Sequence, residues 1–510
     1  MSWRGVPVFG LVLLAVAFLM LCPALFALRL GDMRIAAGFG YSAIVTAAAG
    51  LLLIVAMRSH GPGTERGATG EFATLLATLV LTPVAAAAPV VIATPFLSFE
   101  AAYFEMVSMI TTTGATVFDR LAEAHPAVIL WRGIVAWLGG LIALVMAWAI
   151  LAPRSLGGFE VRGDTQRSAA IGRLRGDPAW AGGRESEAAG DRFAAAISSV
   201  LPVYAGLTLV VGLALIAMGH TTLNAMVIAA GLLSTSGVGA ADGATFAKSG
   251  FGGEAVAALA LVLAATRHAY GGVGQRPMRL GAMPADPEVR LLLVVVLTVG
   301  LWLFLRHWIG ALELAEGDSK GSLRALWGGL FTALSFATTT GYLSEYWGAA
   351  RVWSGLDNPS LVFFGLAIMG GGIATTAGGV KLLRAYALFK HGVRELERLV
   401  RPSSIRGSGA GRRGLRREGA QIAWVFVMLF VLTLALTMIG LSLTGIEFET
   451  GLAAAVAALA NTGPLFPAAT GGSWLTSVTP EGRAVLIVAM VLGRVEILAL
   501  IAMLNTENWR

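Results

Sequence analysis

The segment "FATTTGYLS" (336–344) decides how this chain can fold. It combines three threonines, a glycine and a tyrosine, whereas the sequence around it consists mostly of Ala, Leu and Val. Backbone polar groups in apolar surroundings cost free energy unless they find partners. A single Thr-Gly pair is also common in ordinary turns between helices, so the meaning of this segment depends on the rest of the chain.

The composition indicates a membrane protein. Of 510 residues, 56% are hydrophobic and 13% charged, whereas soluble proteins carry about 25% charged residues. Crossing a bilayer takes about 20 apolar residues, and such windows occur at 7–28, 35–57, 72–95, 133–151, 195–218, 290–307, 420–443 and 483–503. The first window lacks a signal-peptide cleavage site, so we expect it to remain as an anchor. The single cysteine, Cys22, excludes an intramolecular disulfide.

The net charge of +7 lies in connections between the apolar windows rather than in a nucleic-acid surface. About half of the basic residues cluster in 152–192 and 381–417. The positive-inside rule places both segments in the cytoplasm. Neither segment interleaves aromatic residues in the way that base stacking requires, so we expect no nucleic-acid partner.

The segment at 336–344 has three imperfect copies. "ITTTGATVF" (110–118), "LSTSGVGAA" (233–241) and "LANTGPLFP" (459–467) share its pattern of small polar residues before a glycine. The four glycines are Gly114, Gly237, Gly341 and Gly463, which are 123, 104 and 122 residues apart. A unit of this length suits a helix–loop–helix element in a membrane and is too long for a solenoid repeat.

Each copy follows a short apolar segment that cannot cross the bilayer and is therefore expected to be re-entrant. These segments are 99–110, 222–233, 323–336 and 449–460. We predict an all-α polytopic membrane protein with four pseudo-repeated units, each a helix, a re-entrant pore helix with its loop, and a second helix. The units surround one pore and are preceded by two extra transmembrane helices. This threading gives ten full crossings, with both termini cytoplasmic and the four glycine segments opening outward.

The predicted division of the chain follows these units. The two N-terminal helices occupy 1–70, and the four pore units occupy 71–192, 193–289, 290–418 and 419–510.

The four glycine segments have the chemistry of an ion-selectivity filter. Non-helical backbone at membrane depth must face protein or water, and carbonyl oxygens arranged around an axis can replace the hydration shell of a monovalent cation. Glycine permits the positive φ angles that turn successive carbonyls one way, and Thr and Ser add hydroxyl oxygens. We call the following triplets the filter segments: Thr112, Thr113 and Gly114; Thr235, Ser236 and Gly237; Thr339, Thr340 and Gly341; Asn461, Thr462 and Gly463. Among acidic residues near the predicted outer mouth, Glu105 is a candidate for attracting cations.

Further motifs point to a known family. They are "WLGG" (137–140), "DPEVR" (286–290), "MGGGIATTAGGVKLLR" (369–384) and "LGRVEIL" (492–498). With the four glycine segments and the two leading helices, the chain resembles the Trk/Ktr/HKT superfamily of potassium transporters, and within it the bacterial Trk-type pore subunits. The resemblance implies that the four glycines belong to a potassium-selective filter. Ser236, Val238, Asn461 and Pro464 depart from the usual filter pattern.

The resemblance also implies a gate. The glycine-rich stretch at 370–379 lacks the spacing of a phosphate-binding loop, and in the family this stretch is an intramembrane gating loop. The implied gate residues are Gly370, Gly371, Gly372, Thr375, Thr376, Gly378, Gly379, Lys381 and Arg494. Three alternatives stay open: a passive helix kink, an Arg494 that pairs with a carboxylate only for packing, and a Lys381 that extends to the cytoplasmic surface.

The predicted function is potassium uptake across the bacterial inner membrane, with potassium as the transported ion and no nucleotide bound by this chain. The resemblance implies a homodimer and a cytosolic, TrkA-type regulatory ring that binds NAD or ATP. A proton- or sodium-coupled potassium symporter is the alternative. A membrane enzyme is not favoured, because the six histidines are scattered and no catalytic constellation can be assembled.

Overall fold

The computed structural model describes ten parts of the chain. They are 8–58, 68–119, 121, 124–153, 156–159, 189–239, 245–271, 278–310, 319–400 and 417–496. Most of the basic residues of 152–192 and 401–417, and both chain termini, lie outside these parts.

The protein is a multi-pass helical membrane protein. Within the described parts, seven helices are long and apolar enough to cross a bilayer. They are α1 (Val8–Arg29), α2 (Met33–Arg58), α3 (Ala68–Ala93), α5 (Pro126–Met146), α6 (Ala189–Ala217), α10 (Pro287–Gly310) and α15 (Arg417–Leu443). Helix α5 continues into a π-helical turn, Ala147–Leu151. The first seven apolar windows are therefore helices, because hydrophobic runs of this length satisfy their backbone only as helices in lipid. The eighth window, 483–503, lies partly outside the described residues.

Four further helices precede the glycine segments, as predicted. They are α4 (Phe99–Ile110), α7 (Thr222–Leu233), α11 (Ser319–Ala337) and α16 (Phe448–Leu459). Three of them have 12 residues, which is about 18 Å of helix and shorter than a membrane. Helix α11 has 19 residues and begins earlier than the predicted segment 323–336. The difference is a polar turn at its N-terminal end. Hereafter these are the four pore helices.

A second helix returns after each glycine segment. In the second and fourth units these are α8 (Gly250–Ala264) and α18 (Pro480–Val495). In the third unit the returning helix is broken into α13 (Ser360–Met369) and α14 (Leu382–Val400). We call the intervening residues 370–381 the glycine-rich loop. The short elements are α9 (Arg267–Tyr270), a 3-10 turn (Leu280–Ala285), α12 (Trp347–Ser354) and α17 (Leu465–Thr470).

Helix starts do not coincide with every predicted unit boundary. Helix α6 begins at Ala189 and α10 at Pro287, a few residues before the boundaries at 193 and 290. The count of ten full crossings stays a prediction, since several returning helices are shorter than the seven long spans.

Helix α5 brings the first two units together. The "WLGG" motif lies on its buried side, where a Cβ atom at Gly139 would sit 2.2 Å from the Ile110 carbonyl oxygen and one at Gly140 would sit 2.9 Å from the Ser234 Cα. Both neighbours are at the ends of pore helices. The two glycines therefore let α5 pass directly against the beginnings of the first and second filter segments.

Candidate functional site

The four filter segments share one hydrogen-bond pattern. In each segment the amide of the residue before the glycine donates to a carbonyl five residues earlier, in the last turn of the pore helix. The pairs are Thr113 to Ser108 (2.8 Å), Ser236 to Gly231 (2.9 Å), Thr340 to Ser335 (2.9 Å) and Thr462 to Ala457 (2.8 Å). These bonds turn the amide groups back toward the pore helices. The four units therefore have the same local geometry as well as similar sequences.

The first residue of each filter segment adopts a left-handed backbone. The φ angles are 57° at Thr112, 52° at Thr235, 59° at Thr339 and 51° at Asn461. Left-handed conformations are genuine outliers for β-branched residues, and such strain persists only where surrounding structure imposes it. Three threonines are therefore strained in the same way, and the fourth position, Asn461, is a residue type that tolerates this conformation. The shared backbone makes the four segments candidates for a functional site.

Three of the four glycines also have positive φ, namely 75° at Gly114, 66° at Gly237 and 82° at Gly341. The residue between the two positive-φ positions has negative φ in each of these segments. An alternation of this kind turns successive carbonyl oxygens toward the same side of the chain, as a cation site requires.

Gly463 is different, and the prediction of a positive φ fails there. Its φ is not in the left-handed region. Glycine is needed instead for close approach: the Gly463 amide donates to the Thr113 carbonyl at 2.5 Å, and a Cβ atom at Gly463 would lie 2.1 Å from the Ala115 nitrogen. Pro464 and the start of α17 follow at once, which explains why this segment departs from the others.

The four segments close into a ring. A Cβ atom at Gly114 would lie 1.7 Å from the Ser236 oxygen, and one at Gly237 would lie 2.0 Å from the Thr340 oxygen. One at Gly341 would lie 3.0 Å from Pro464. The Gly463 contact with the first segment completes the circuit. Each unit thus touches the next, and at Gly114, Gly237 and Gly463 the neighbouring backbone leaves no room for a Cβ atom.

The oxygen atoms left free in this ring are chiefly backbone carbonyls. Within the described parts of the chain, no donor lies within hydrogen-bond distance of the carbonyl oxygens of Thr112, Thr235, Ser236, Thr339 and Thr340. The hydroxyls are largely occupied: the side-chain pairs are Thr111 with Thr113 (2.8 Å), Ser234 with Ser236 (2.9 Å) and Thr338 with Thr340 (3.2 Å). These hydroxyls hold the ends of the pore helices.

The fourth segment contributes fewer free carbonyls. The Thr462 carbonyl accepts from the Leu465 amide at 3.1 Å. The Gly463 carbonyl accepts from the Phe466 amide at 3.2 Å and from the Trp474 indole at 3.3 Å. The first turn of α17 therefore uses oxygens that remain free in the second and third segments.

The glycine-rich loop lies against the ring. The Gly378 amide donates to the Thr339 hydroxyl at 2.8 Å. The Thr376 hydroxyl lies 3.2 Å from the Thr235 hydroxyl and donates to the Leu233 carbonyl at 3.0 Å. Hence the second and third filter segments are bonded to this loop through the side chains of their left-handed residues.

The loop is a non-helical segment between two helices rather than a bend in one continuous helix. Gly370 ends α13 with a φ of 69°, and Gly379 has a φ of 72°. Inside the loop, the Thr375 hydroxyl donates to the Gly372 carbonyl at 2.6 Å. The Leu382 amide donates to the Gly371 carbonyl at 2.9 Å. The loop therefore supplies many of its own hydrogen bonds, as buried non-helical backbone must.

Arg494 contacts the loop directly. It lies in the last turn of α18, which ends at Val495, and its Nη1 donates to the Thr376 carbonyl at 2.6 Å. Its Nη2 is buried with no hydrogen-bond partner among the described residues. Glu496 pairs with Arg384 instead, at 2.8 Å. The structure therefore does not support the alternative in which Arg494 is held by a carboxylate.

Lys381 is also turned toward the loop. Its side chain is buried, and its ammonium group donates to the Ala377 carbonyl. The Lys381 side chain therefore does not extend to a membrane surface.

Two buried carboxylates accept hydrogen bonds from residues that follow the filter glycines in the first and third units. Glu105 is fully buried and pairs with Arg132 at 2.6 Å, so the expectation that it attracts cations at the outer mouth is wrong. Its other oxygen accepts from the Val117 amide at 2.8 Å. Glu254 was not predicted as a site residue, and it accepts from the Trp327 indole at 2.6 Å and the Glu345 amide at 2.6 Å. A single acidic residue in an otherwise apolar helix was the available signal.

Comparison with known proteins agrees with this architecture. A family model described as "TrkH: Cation transport protein" matches residues 291–507. The Trk system potassium uptake protein TrkI of Halomonas elongata is 29% identical over 439 residues, covering 83% of this chain and 81% of that protein. The TrkH protein of Escherichia coli K12 is 28% identical over 429 residues, covering 82% and 80%.

The chain is similar to TrkH-type transport proteins over most of its length. These relatives are transporters and not enzymes. The crystal structure of the potassium transporter TrkH from Vibrio parahaemolyticus matches with a TM-score of 0.78 and 23% identity over the whole of both chains. That likeness establishes a shared fold. The TrkH family model begins after the second filter segment, so the first two units are related through the longer alignments.

Proposed function

We propose that this chain takes up potassium across the bacterial inner membrane through the ring of filter segments. The observation that carries the proposal is the closed ring of four backbone segments with free carbonyl oxygens. A partly dehydrated K⁺ needs several such oxygens in place of water. The relatives from Halomonas elongata and Escherichia coli are potassium uptake proteins by name, which supports the same ion here.

The glycine-rich loop and Arg494 form the gate in this proposal. A loop bonded to two filter segments and to an arginine stands in the path of an ion that leaves the ring. A guanidinium group at this depth also repels cations. The arrangement in the structure is therefore the non-conducting one, and transport requires the loop to move away from the filter.

The assembly and orientation are part of the proposal. We place the glycine segments on the outer side, the basic connections and both termini in the cytoplasm, and two chains in a homodimer. A cytosolic ring that binds NAD or ATP docks on the basic connections. The charge bias of these connections supports the orientation.

The structure offers no specific support for coupled symport. The two buried carboxylates beside the filter, Glu105 and Glu254, are bound by hydrogen-bond donors. A proton relay needs carboxylates that can exchange protons along a path. Uptake through a gated filter is therefore the function that we adopt.

The test is growth of a potassium-uptake-deficient bacterium on low-potassium medium. Wild-type protein should restore growth. Gly237→Ala should abolish it, because the new methyl group would overlap the Thr340 carbonyl. The matched control is Gly206→Ala, a glycine in α6 with nothing within 4 Å of the added Cβ atom. Full growth with Gly237→Ala at equal membrane abundance would refute the filter assignment.

A further inference from the structure

A buried charge cluster lies at the beginning of the glycine-rich loop. It consists of Arg267 from α9 together with Asp286 and Glu288 from the "DPEVR" motif. Arg267 Nη1 lies 2.9 Å from Glu288 Oε2, and Arg267 Nη2 pairs with Asp286 Oδ2. The exposed fraction of the side chain is 7% for Arg267, 2% for Asp286 and 4% for Glu288. Three charged side chains are thus removed from solvent together, which is costly unless each is well bonded.

One part of the cluster begins a helix. Asp286 Oδ1 accepts from the Glu288 amide at 3.0 Å, and Pro287 occupies the first position of α10, where a missing amide hydrogen costs nothing. His268 lies 2.6 Å from Asp286 Oδ2. Burial raises the pKa of Asp286, but Arg267 and its hydrogen bonds hold that pKa below its usual value. Asp286 is therefore a charged cap that also orients Arg267.

The Glu288 side chain is not needed for that cap. Its Oε2 binds Arg267, and its Oε1 accepts from the Ile373 amide of the glycine-rich loop at 3.0 Å. One carboxylate therefore bridges a fixed arginine and the backbone of the loop. Hydrogen bonds to ionised acceptors are about twice as strong as neutral ones.

The adjacent loop residue is also anchored. The Gly372 amide donates to the Ala265 carbonyl at 3.3 Å, and a Cβ atom at Gly372 would lie 2.6 Å from that oxygen. Ala265 is the C-cap of α8. The first half of the loop is thus held by the second unit and Glu288, whereas its second half is held by the filter and Arg494.

We infer that Glu288 is a positioning residue for the gate: with Arg267 it forms a latch that holds Ile373, and displacement of either side chain releases the loop. The inference rests on the proposed gating role of the loop. When the loop leaves the filter, the Ile373 amide has to leave Glu288, so the latch favours the closed state. Displacement of Arg267 or of the turn that begins α10 lowers that preference and shifts the population toward open loops.

The test measures exposure of the loop without relying on transport. In a Cys22→Ser background, Thr375→Cys places a single thiol in the loop at a buried position. Its reaction rate with a charged methanethiosulfonate reagent is measured on purified full-length protein. Glu288→Ala should accelerate labelling by roughly tenfold, because a charge-assisted bond to the loop is lost. Glu288→Gln retains an acceptor for Ile373 and should give a smaller increase. It also serves as the readout if the alanine variant does not fold.

Two controls distinguish a specific effect on the glycine-rich loop from a general destabilisation of the protein. Glu397→Ala removes an exposed acid from α14 and should leave labelling unchanged. A thiol at Ser354→Cys, buried in α12 and remote in sequence from the loop, should react at the same rate with and without Glu288. Equal acceleration at positions 354 and 375 overturns the inference, as does unchanged labelling at 375 in folded Glu288→Ala.

Rubidium flux into proteoliposomes, measured with position 375 unmodified, distinguishes this inference from the proposed function. Glu288→Ala should raise the basal flux of the chain alone. If labelling rises but neither wild type nor variant carries rubidium, the proposed function fails and the latch stands. If wild type carries rubidium and the variant shows neither faster labelling nor greater flux, the latch fails and the proposed function stands.

Discussion

Arg494 donates a 2.6 Å hydrogen bond to the carbonyl oxygen of Thr376, while the hydroxyl of the same threonine contacts the second filter segment. Thr376 therefore connects the arginine on α18 with the filter across 118 residues of sequence. One residue of the glycine-rich loop thus contacts both the second filter segment and α18.

Replacing Arg494 with alanine should raise basal potassium uptake. A unit charge about 10 Å from an ion contributes about 1.7 kcal/mol at an effective dielectric constant of 20, and loss of such a barrier corresponds to roughly a tenfold increase in flux. Rubidium uptake into proteoliposomes measures this increase in flux. Arg494→Lys keeps the charge and should remain near wild type. Slower uptake by Arg494→Ala at equal abundance would contradict a barrier role.

Gly114→Ser should weaken discrimination between potassium and sodium. A Cβ atom at this position would lie 1.7 Å from the Ser236 carbonyl oxygen, so that oxygen must move and the ring must change its spacing. Selectivity that depends on the number and position of carbonyl dipoles should fall by about tenfold. Reversal potentials under mixed potassium and sodium gradients report this ratio. Gly365→Ser, in α13 with open space around it, is the control and should retain wild-type selectivity.

Removing the charge of Glu254 should destabilise the third filter segment. Its carboxylate accepts from the Trp327 indole, the Ser344 hydroxyl and the Glu345 amide. In Glu254→Gln, the new NH₂ group faces hydrogen-bond donors and cannot accept from them. The free energy of unfolding should therefore fall by about 2 kcal/mol. The melting temperature in detergent should fall, whereas Glu449→Gln, an exposed acid, should not change it. An unaltered melting temperature for Glu254→Gln would exclude a bracing role.

The pair of Glu105 and Arg132 should show strong coupling in a double-mutant cycle. The carboxylate is fully buried, and the arginine is 2.6 Å away. Arg132→Gln alone leaves an uncompensated buried charge and should cost about 3–5 kcal/mol of unfolding free energy. Adding Glu105→Gln should recover part of that loss, because two neutral amides can bond to each other. Additive effects of the two substitutions would show that the pair does not act as a unit.

Local sequence was sufficient for the elements of the site. Apolar length predicted the long helices and the 12-residue pore helices, because backbone in lipid must satisfy its hydrogen bonds internally. The repeated glycine at four positions was sufficient to predict four equivalent segments. The break at Gly370 followed from a cluster of glycines in an apolar run.

Only the tertiary structure decided which atoms of the site are available. Thr235 and Thr339 were predicted to offer hydroxyl oxygens to an ion, but their hydroxyls bond to Thr376 and Gly378 of the glycine-rich loop. We expected a positive φ at Gly463, but its φ is not in the left-handed region. Glycine is required there for contact with Thr113, 350 residues earlier in the sequence. Glu496 stands beside Arg494 in the sequence and pairs with Arg384 in the fold.

The difference has one physical cause. Helix formation and chain reversal depend on neighbours within a few residues, so composition and periodicity reveal them. The partners of Gly463, Thr376 and Glu496 depend on which units pack side by side, and these contacts join residues more than a hundred positions apart. The sequence by itself therefore determined that four glycine segments follow four pore helices in a membrane protein. The packing of the four units decided which oxygens remain free and what holds the glycine-rich loop against them.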